Sequence, residues 1–524
     1  MASNVAAKMK MEPSSLSLGE TGELAIPAPV PTRGELDKSL AAGLAWTASA
    51  KWSTQLISWG ALIVVTHLLS PADFGLAGMA ALYSGLLLVA GDALGTAVTT
   101  LRELTAEELE QLNSLAALCG CCACLISLAA AIPLGRFFRS PHLPLVVVVT
   151  SATLAASGLR IVPYGLLYRD MRFRLLSAFD AAQSVAQALV TLALAWRGFG
   201  YWALVLGNVA AAALLAGLQI WARPCRFRRP RIGALRVALT FSRHILVSNL
   251  SWYGYSNADF LVAGRMLGQS ALGAYTLAWT LATIPLEKIA AVANGVTYVY
   301  LSAAQKDDEA LRRYVRIITE GLSLVTFPAT IGLGLLARDF IPLVFGSKWM
   351  GAIRPLKILA VYACFRCIVT LLPSILNVTG ESRFAMRVTQ GGLILMPIAF
   401  YAGSRWGPAG IAWGWVAAYP AIAACLYWRA FRRIGMPWRE YFGAVRPALA
   451  GCAAMAAAVE LARTSLAVVP LRLRFGGEVL AGCAAYLITV LLVHGNRFFV
   501  FWNFIRAMRN AAGENEIVEG APRG

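Results

Sequence analysis

Lys51, Gln55 and Ser58 share one face of the apolar run 43–66, with Thr47 and Thr54 alongside at i, i+4, i+7, i+8 and i+11. A lysine facing hydrocarbon costs at least about 2.5–3.5 kcal/mol, so this face must meet water or protein. Shifted by 198 residues, Lys51, Gln55 and Ser58 fall on Asn249, Tyr253 and Ser256, a second polar stripe on the run 237–263. Two such stripes facing one another would line a hydrated cavity; the alternative is polar packing between helices.

Other ionisable groups lie inside apolar runs. Counted along a helix, Lys51 lies about 12 Å and Asp92 about 9 Å from the same end, close enough to pair across a hairpin. Arg160, Asp180 and Arg243 have similar depth, while Lys288 and Arg366 are nearer the middle. Basic groups outnumber acidic ones, which suits an anion. Lys51 and Lys288 are the first candidates to touch it, then Arg366 and Arg243, and Arg160 has the alternative of snorkelling to the interface. Asp92 holds Lys51 or couples protons. Asp259 and Glu287 are candidate cation or proton sites, although Glu287 also balances its neighbour Lys288. Aromatic residues accompany both stripes: Trp52 and Trp59 on the first, Trp252, Tyr253 and Tyr255 on the second. Such rings suit sugars, and they also populate membrane interfaces whatever the cargo.

The elements that position these groups are membrane helices. At 58% hydrophobic and 14% charged residues the chain is too apolar for a soluble domain. Fourteen apolar segments, near 43–66, 74–98, 112–134, 143–167, 175–196, 199–222, 237–263, 271–300, 315–337, 355–379, 386–402, 408–430, 447–467 and 476–495, are candidate spans. The net charge of +19 could suggest nucleic acid. Its distribution instead follows the positive-inside bias, with both termini cytoplasmic. The densest cluster, Arg223, Arg226, Arg228, Arg229, Arg231 and Arg236, reads as a topology anchor or an anionic-lipid contact. Cys119, Cys121, Cys122 and Cys124, and Cys364 with Cys367, lie within apolar runs without His or carboxylate partners and read as packing residues.

The chain repeats itself. LSPADFGLAG at 69–78 echoes LGQSALGAYT at 267–276, GTAVT at 95–99 echoes ANGVT at 293–297, and RDMRF at 169–173 echoes GESRF at 380–384. The expected architecture is all-α and polytopic: a tail (1–40), a six-helix lobe (41–222), a basic linker (223–236), a second six-helix lobe (237–430), two further helices (431–496) and a C-terminal tail (497–524). The lobes are parallel repeats about an axis along the membrane normal, with substrate between them. No G-x-x-x-x-G-K-[ST] loop or long extramembrane connection is present, which argues against ATP hydrolysis within the chain.

LSPADFGLAGMA, RDMRFR, residues 257–290 and FPATIGLGLLARDFIPLVFGSKW at 327–349 resemble the polysaccharide-transport family of the multidrug/oligosaccharidyl-lipid/polysaccharide exporter superfamily, over roughly 40–500. The resemblance implies a bacterial inner-membrane flippase, not an enzyme, without a cofactor, working by alternating access. Its implied partners are an undecaprenyl-diphosphate-linked glycan, membrane lipids and polysaccharide assembly machinery, with no nucleic acid. A multidrug/cation antiporter would need an acidic cavity. A membrane glycosyltransferase or polymerase would need catalytic acids on its outer loops. The first outer loop offers Asp73, whose duplicate is Ala271, and Asp73 therefore reads as a turn cap. Lys51→Ala is expected to abolish glycan export at normal protein level, measured by surface-polysaccharide staining beside an immunoblot.

Overall fold

The computed structural model describes residues 55–101, 103–303 and 307–492, with backbone alone for 288–303. Lys51, Trp52 and the Lys288 side chain lie outside this set. The regular elements described are helices: α1 (Gln55–Leu68), α2 (Pro71–Thr100), α3 (Ala106–Phe137), α4 (Leu143–Thr150), α5 (Ala152–Arg169), α6 (Phe173–Trp196), α7 (Tyr201–Ala222), α8 (Arg236–Leu267) and α9 (Gln269–Ala303). There follow α10 (Asp308–Val344), α11 (Ile353–Val369), α12 (Leu371–Val378), α13 (Ser382–Gly403), α14 (Gly407–Ile434), α15 (Trp438–Ser465) and α16 (Leu471–Leu492), with 3-10 turns at Ser347–Ala352 and Ser404–Trp406. Ten helical stretches among the described residues are long and apolar enough to cross a membrane, and the chain is a multi-pass membrane protein. The ten do not include α1, α8 or α9, and α8 carries the second polar stripe, which lowers its hydropathy.

Local chemistry sets the helix starts. Ser70 and Asp73 form a reciprocal cap on α2, with Pro71 in its first turn, and Thr105 and Glu108 do the same for α3. The second Asp73 oxygen accepts the Tyr201 N–H at 3.1 Å, which ties the start of α7 to the start of α2. Asp73 is therefore the structural cap expected from its turn.

Connections at one end of the bundle, marked by Pro71, include the α1–α2, α3–α4 and α8–α9 turns; those near Thr100 mark the other. A continuous apolar core joins α2 and α4 to α8, α9 and the helices up to α16, through Leu76, Met79, Val146, Leu272, Tyr275 and Trp349. Near Thr100 the clusters are smaller and more separate, one built on Leu94, Val98, Leu112 and Ile161, another on Leu167, Phe179 and Leu215.

Helices α15 and α16 are fixed to α10 by charge. Asp339 is 3% and Glu478 0% exposed, and Arg463 and Arg474 lie between them, with Arg474 2.5 Å from Asp339 and Arg463 3.4 Å from Glu478. Breaking such a pair from one side costs about 3–5 kcal/mol because the remaining charge stays buried. Asp339→Ala is therefore expected to lower the thermal unfolding midpoint in detergent markedly, whereas the exposed Glu460→Ala is expected to change it little.

Candidate functional site

Near the Thr100 end, α2, α5, α6 and α7 enclose a cavity of about 590 Å³. Gly91 and Gly95 keep the α2 wall low, while Asp92, Thr96 and Thr99 stand beside them. Arg160, Tyr164 and Tyr168 come from α5, and Asp180 and Gln183 from α6. The sequence placed Asp92, Arg160 and Asp180 at one depth; the fold puts all three on one wall system. Two carboxylates, one guanidinium, an amide, hydroxyls and a tyrosine pair with ring centroids 6.2 Å apart can bind a polar, hydroxyl-rich molecule by hydrogen bonds and ring contacts. The cavity lies within the first half of the chain, not between the halves, and its carboxylates outnumber its guanidinium.

The second stripe does something else. The Tyr253 hydroxyl donates to the Leu82 carbonyl at 2.7 Å and occupies the space that a side chain at Gly85 would fill. Ser256 is buried and bonds back to the Trp252 carbonyl, Asn249 is half-buried, and Trp252 is exposed. Of the first stripe, Gln55 and Ser58 are described and both are half-buried. Arg243 and Glu287 are exposed. Cys364 and Cys367 contact the Thr330 and Thr326 hydroxyls at 2.9 and 3.2 Å, a packing arrangement between helices.

A second polar centre sits inside α8–α14. Asp259 is 0% exposed and accepts from the Tyr275 hydroxyl at 2.7 Å and the Trp415 indole N–H at 3.0 Å. Rings of Trp279, Tyr362 and Tyr419 lie 4.6–6.3 Å from Trp415. The Arg366 guanidinium is 5.9 Å from the Trp279 and Tyr362 ring centres. Sequence reasoning named Asp259 and Arg366 but missed this aromatic shell. Its signal was present as i, i+4 pairs on three helices: Tyr275 with Trp279, Tyr362 with Arg366, and Trp415 with Tyr419.

The two halves close on each other at the Pro71 end. A Cβ on Gly75 would lie 1.8 Å from the Gln269 carbonyl oxygen, and one on Gly273 would lie 1.8 Å from that of Pro71. Gly75 and Gly273 are the same position of the echoed motif, as are Pro71 and Gln269, so the contact is reciprocal. The Lys348 ammonium donates to the His67 and Leu69 carbonyls at 2.7 and 2.5 Å, and the Trp349 indole to Thr66 at 2.9 Å. These residues cap the C-terminal end of α1 with groups from the α10–α11 connection, a role for the FGSKW run that the sequence did not reveal.

This architecture defines a class. The chain superposes on the lipid II flippase MurJ in an inward closed conformation with a TM-score of 0.72, at 14% identity over 86% of this chain and 99% of that one. An inward-facing multidrug resistance MATE family transporter of the MOP superfamily gives 0.58, at 17% identity over 73% and 94%. The fold is therefore that of MurJ and the MATE transporters.

Residues 64–354 match the model of the polysaccharide biosynthesis protein family, and the chain belongs to that family. Relatives include an uncharacterized membrane protein in the cps region of Klebsiella pneumoniae, 23% identical over 78% of this chain and 82% of its own length. The teichuronic acid biosynthesis protein TuaB of Bacillus subtilis (strain 168) is 32% identical over 29% of this chain and 32% of its own. The succinoglycan biosynthesis transport protein ExoT of Rhizobium meliloti (strain 1021) is 24% identical over 62% and 66%. For the latter two, the matched stretch is under two thirds of the relative's length.

Gly75→Val and Gly273→Val are each expected to loosen the crossing of α2 and α9. With the ten natural cysteines removed, a hydrophilic maleimide should label Ala274→Cys about tenfold faster in either background, the effect of roughly 1.4 kcal/mol against closure.

Proposed function

We propose that the protein carries a polyprenyl-diphosphate-linked oligosaccharide from the cytoplasmic to the periplasmic leaflet by alternating access, for assembly of O-antigen, capsule or exopolysaccharide. The observation that carries this reading is an asymmetry within a flippase-type fold. The halves are sealed where the echoed glycines cross, and the polar cavity opens in the opposite half of the bundle.

In this reading the chain has fourteen spans, as two six-helix lobes and two additional helices. It sits in the bacterial inner membrane with both termini in the cytoplasm, and the Pro71 end is periplasmic. The second carrier of the duplication is a repeated ion pair: Asp170 with Arg223 at 3.8 Å, and Glu381 with Arg429 at 2.6 Å. Each acid is the second residue of an echoed segment, RDMRF or GESRF, and its arginine belongs to the second helix after it, Arg223 just past the end of α7 and Arg429 five residues before the end of α14.

Lys51 and Lys288 receive the diphosphate, with Arg366 and Arg243 in support. Gln55, Ser58, Asn249, Tyr253 and Ser256 border the path, and the glycan extends into the cavity of Asp92, Arg160 and Tyr164. Asp259 and Glu287 are the coupling candidates. Opening at the Pro71 end must break the Lys348 and Trp349 bonds, worth roughly 2–4 kcal/mol together because Lys348 is exposed. A diphosphate diester moving its two charges through 100 mV gains about 5 kcal/mol, enough to release that latch without ATP.

The relatives' names support a lipid-linked glycan. ExoT is a transport protein for succinoglycan biosynthesis, and AglR of Haloferax volcanii, 26% identical over 41% of this chain, is a probable flippase. The acidic balance of the cavity favours a cation exchanger instead.

Proteoliposomes separate the two. Under a potential negative on the cytoplasmic side, a fluorescent polyprenyl-diphosphate glycan should cross at least about tenfold faster than in protein-free vesicles, where the diphosphate must shed its water unaided in hydrocarbon. Drug-driven proton flux with no glycan movement would replace the flippase reading by the antiporter. Arg160→Gln is expected to slow glycan crossing severalfold with folding unchanged in a thermal melt.

A further inference from the structure

The basic segment between α7 and α8 is more than a run of charge. Its backbone is pinned to the first turns of α3. Gln111 accepts the Arg231 N–H at 2.9 Å, Ser114 accepts the Arg228 N–H at 2.8 Å, and the Asn113 amide donates to the Cys225 and Arg226 carbonyls at 3.4 Å. Gln111 and Asn113 are 1% and 2% exposed, so two buried polar side chains are committed to holding this segment. A topology signal needs only positive charge on the correct side. It does not need a fixed backbone.

The pins also set its depth. They fall about 8–12 Å from the start of α3 at 1.5 Å per residue. There the helix changes from the polar AEELEQLNS to the apolar LAALCGCCACLISLAAAIPL, which places the segment at the edge of the hydrocarbon. Arg228 pairs with Glu107 at 3.4 Å. Arg226, Arg229 and Arg231 are exposed, with no side-chain partner among the described residues. Between and beside them Phe227 and Ile232 are 64% and 78% exposed, and Trp221, at the end of α7, is 79% exposed.

The geometry points to a docking surface for anionic membrane lipid in the leaflet at the Thr100 end. Arg226, Arg229 and Arg231 receive the headgroup phosphate, and Phe227 and Ile232 enter the acyl boundary. Guanidiniums match phosphate oxygens in pairs, and interfacial rings and branched side chains fix the depth. The committed ligand is a phospholipid because apolar side chains alternate with the arginines; a soluble phosphate would leave them in water. The surface also adjoins the cavity. Leu235 and Ala238, just past the segment, pack on Leu94, Ala97 and Val98 of α2, whose other face presents Asp92, Gly95 and Thr96. Bound lipid would thus steady the α2 wall.

The test uses the full chain in detergent, titrated with short-chain phosphatidylglycerol or phosphatidylcholine, with lipid occupancy read by native mass spectrometry. The natural sequence is expected to prefer phosphatidylglycerol by at least about tenfold, the effect of three surface guanidiniums. R226Q/R229Q/R231Q should abolish the preference. Q111M/N113L keeps every arginine, and hence the topology signal, but unpins the segment; it should lose most of the preference. R229Q alone, at an exposed position, serves as the variant least able to disturb folding and should lose part of it. Equal occupancy by the two lipids in the natural sequence overturns the proposal, as does an undiminished preference in both multiple variants. Retention of farnesyl diphosphate without preference for phosphatidylglycerol would mark a cargo contact and overturn it too.

Discussion

Close approach of backbone to backbone at the crossing of α2 and α9 is the constraint on which the arrangement depends. Gly75 and Gly273 each leave room for the other helix's first carbonyl, and no residue with a Cβ fits either place without displacement of main chain. Because the helices meet so tightly there, Leu76, Met79, Leu272 and Tyr275 enter a shared core, and the Lys348–Trp349 connection reaches the end of α1. Further along α2 the constraint relaxes. Gly91 and Gly95 each face the side chain of Ile161 instead of another backbone, and a cavity forms beside them. The same small residue thus closes one end of a helix and hollows out the other.

The two polar centres differ in kind. In the α2–α5–α6–α7 cavity the charged side chains border space that a guest can enter. Around Asp259 the space is filled by Tyr275, Trp279, Tyr362 and Trp415, which supply both hydrogen bonds and shape. A carboxylate surrounded this closely is a poor first contact for a bulky glycan and a reasonable place for a small ion or proton.

Much of the helical framework was legible because apolar run length and capping chemistry are local properties. Ser70-Pro71 with Asp73, and Thr105 with Glu108, announce their helices within four residues. The shared depth of Asp92, Arg160 and Asp180 was legible too, since helical rise converts sequence position into height. Azimuth was not. Height alone could not say that these three surround a cavity inside one half, that Tyr253 turns toward Leu82, or that Trp415 gathers five other aromatic rings around it. Those facts depend on the direction each helix faces, which is set by contacts between different helices and not by any local stretch of sequence. Lys348 was hidden for a different reason: a lysine that caps a distant helix end has the same local signature as any exposed lysine.

The ion-pair network of Asp339, Arg463, Arg474 and Glu478 has a mechanical consequence. Because both arginines bind carboxylates on α10 or α16, helices α15 and α16 cannot swing separately from α10 without stranding charge away from water. Any displacement of α10 therefore carries α15 and α16 with it.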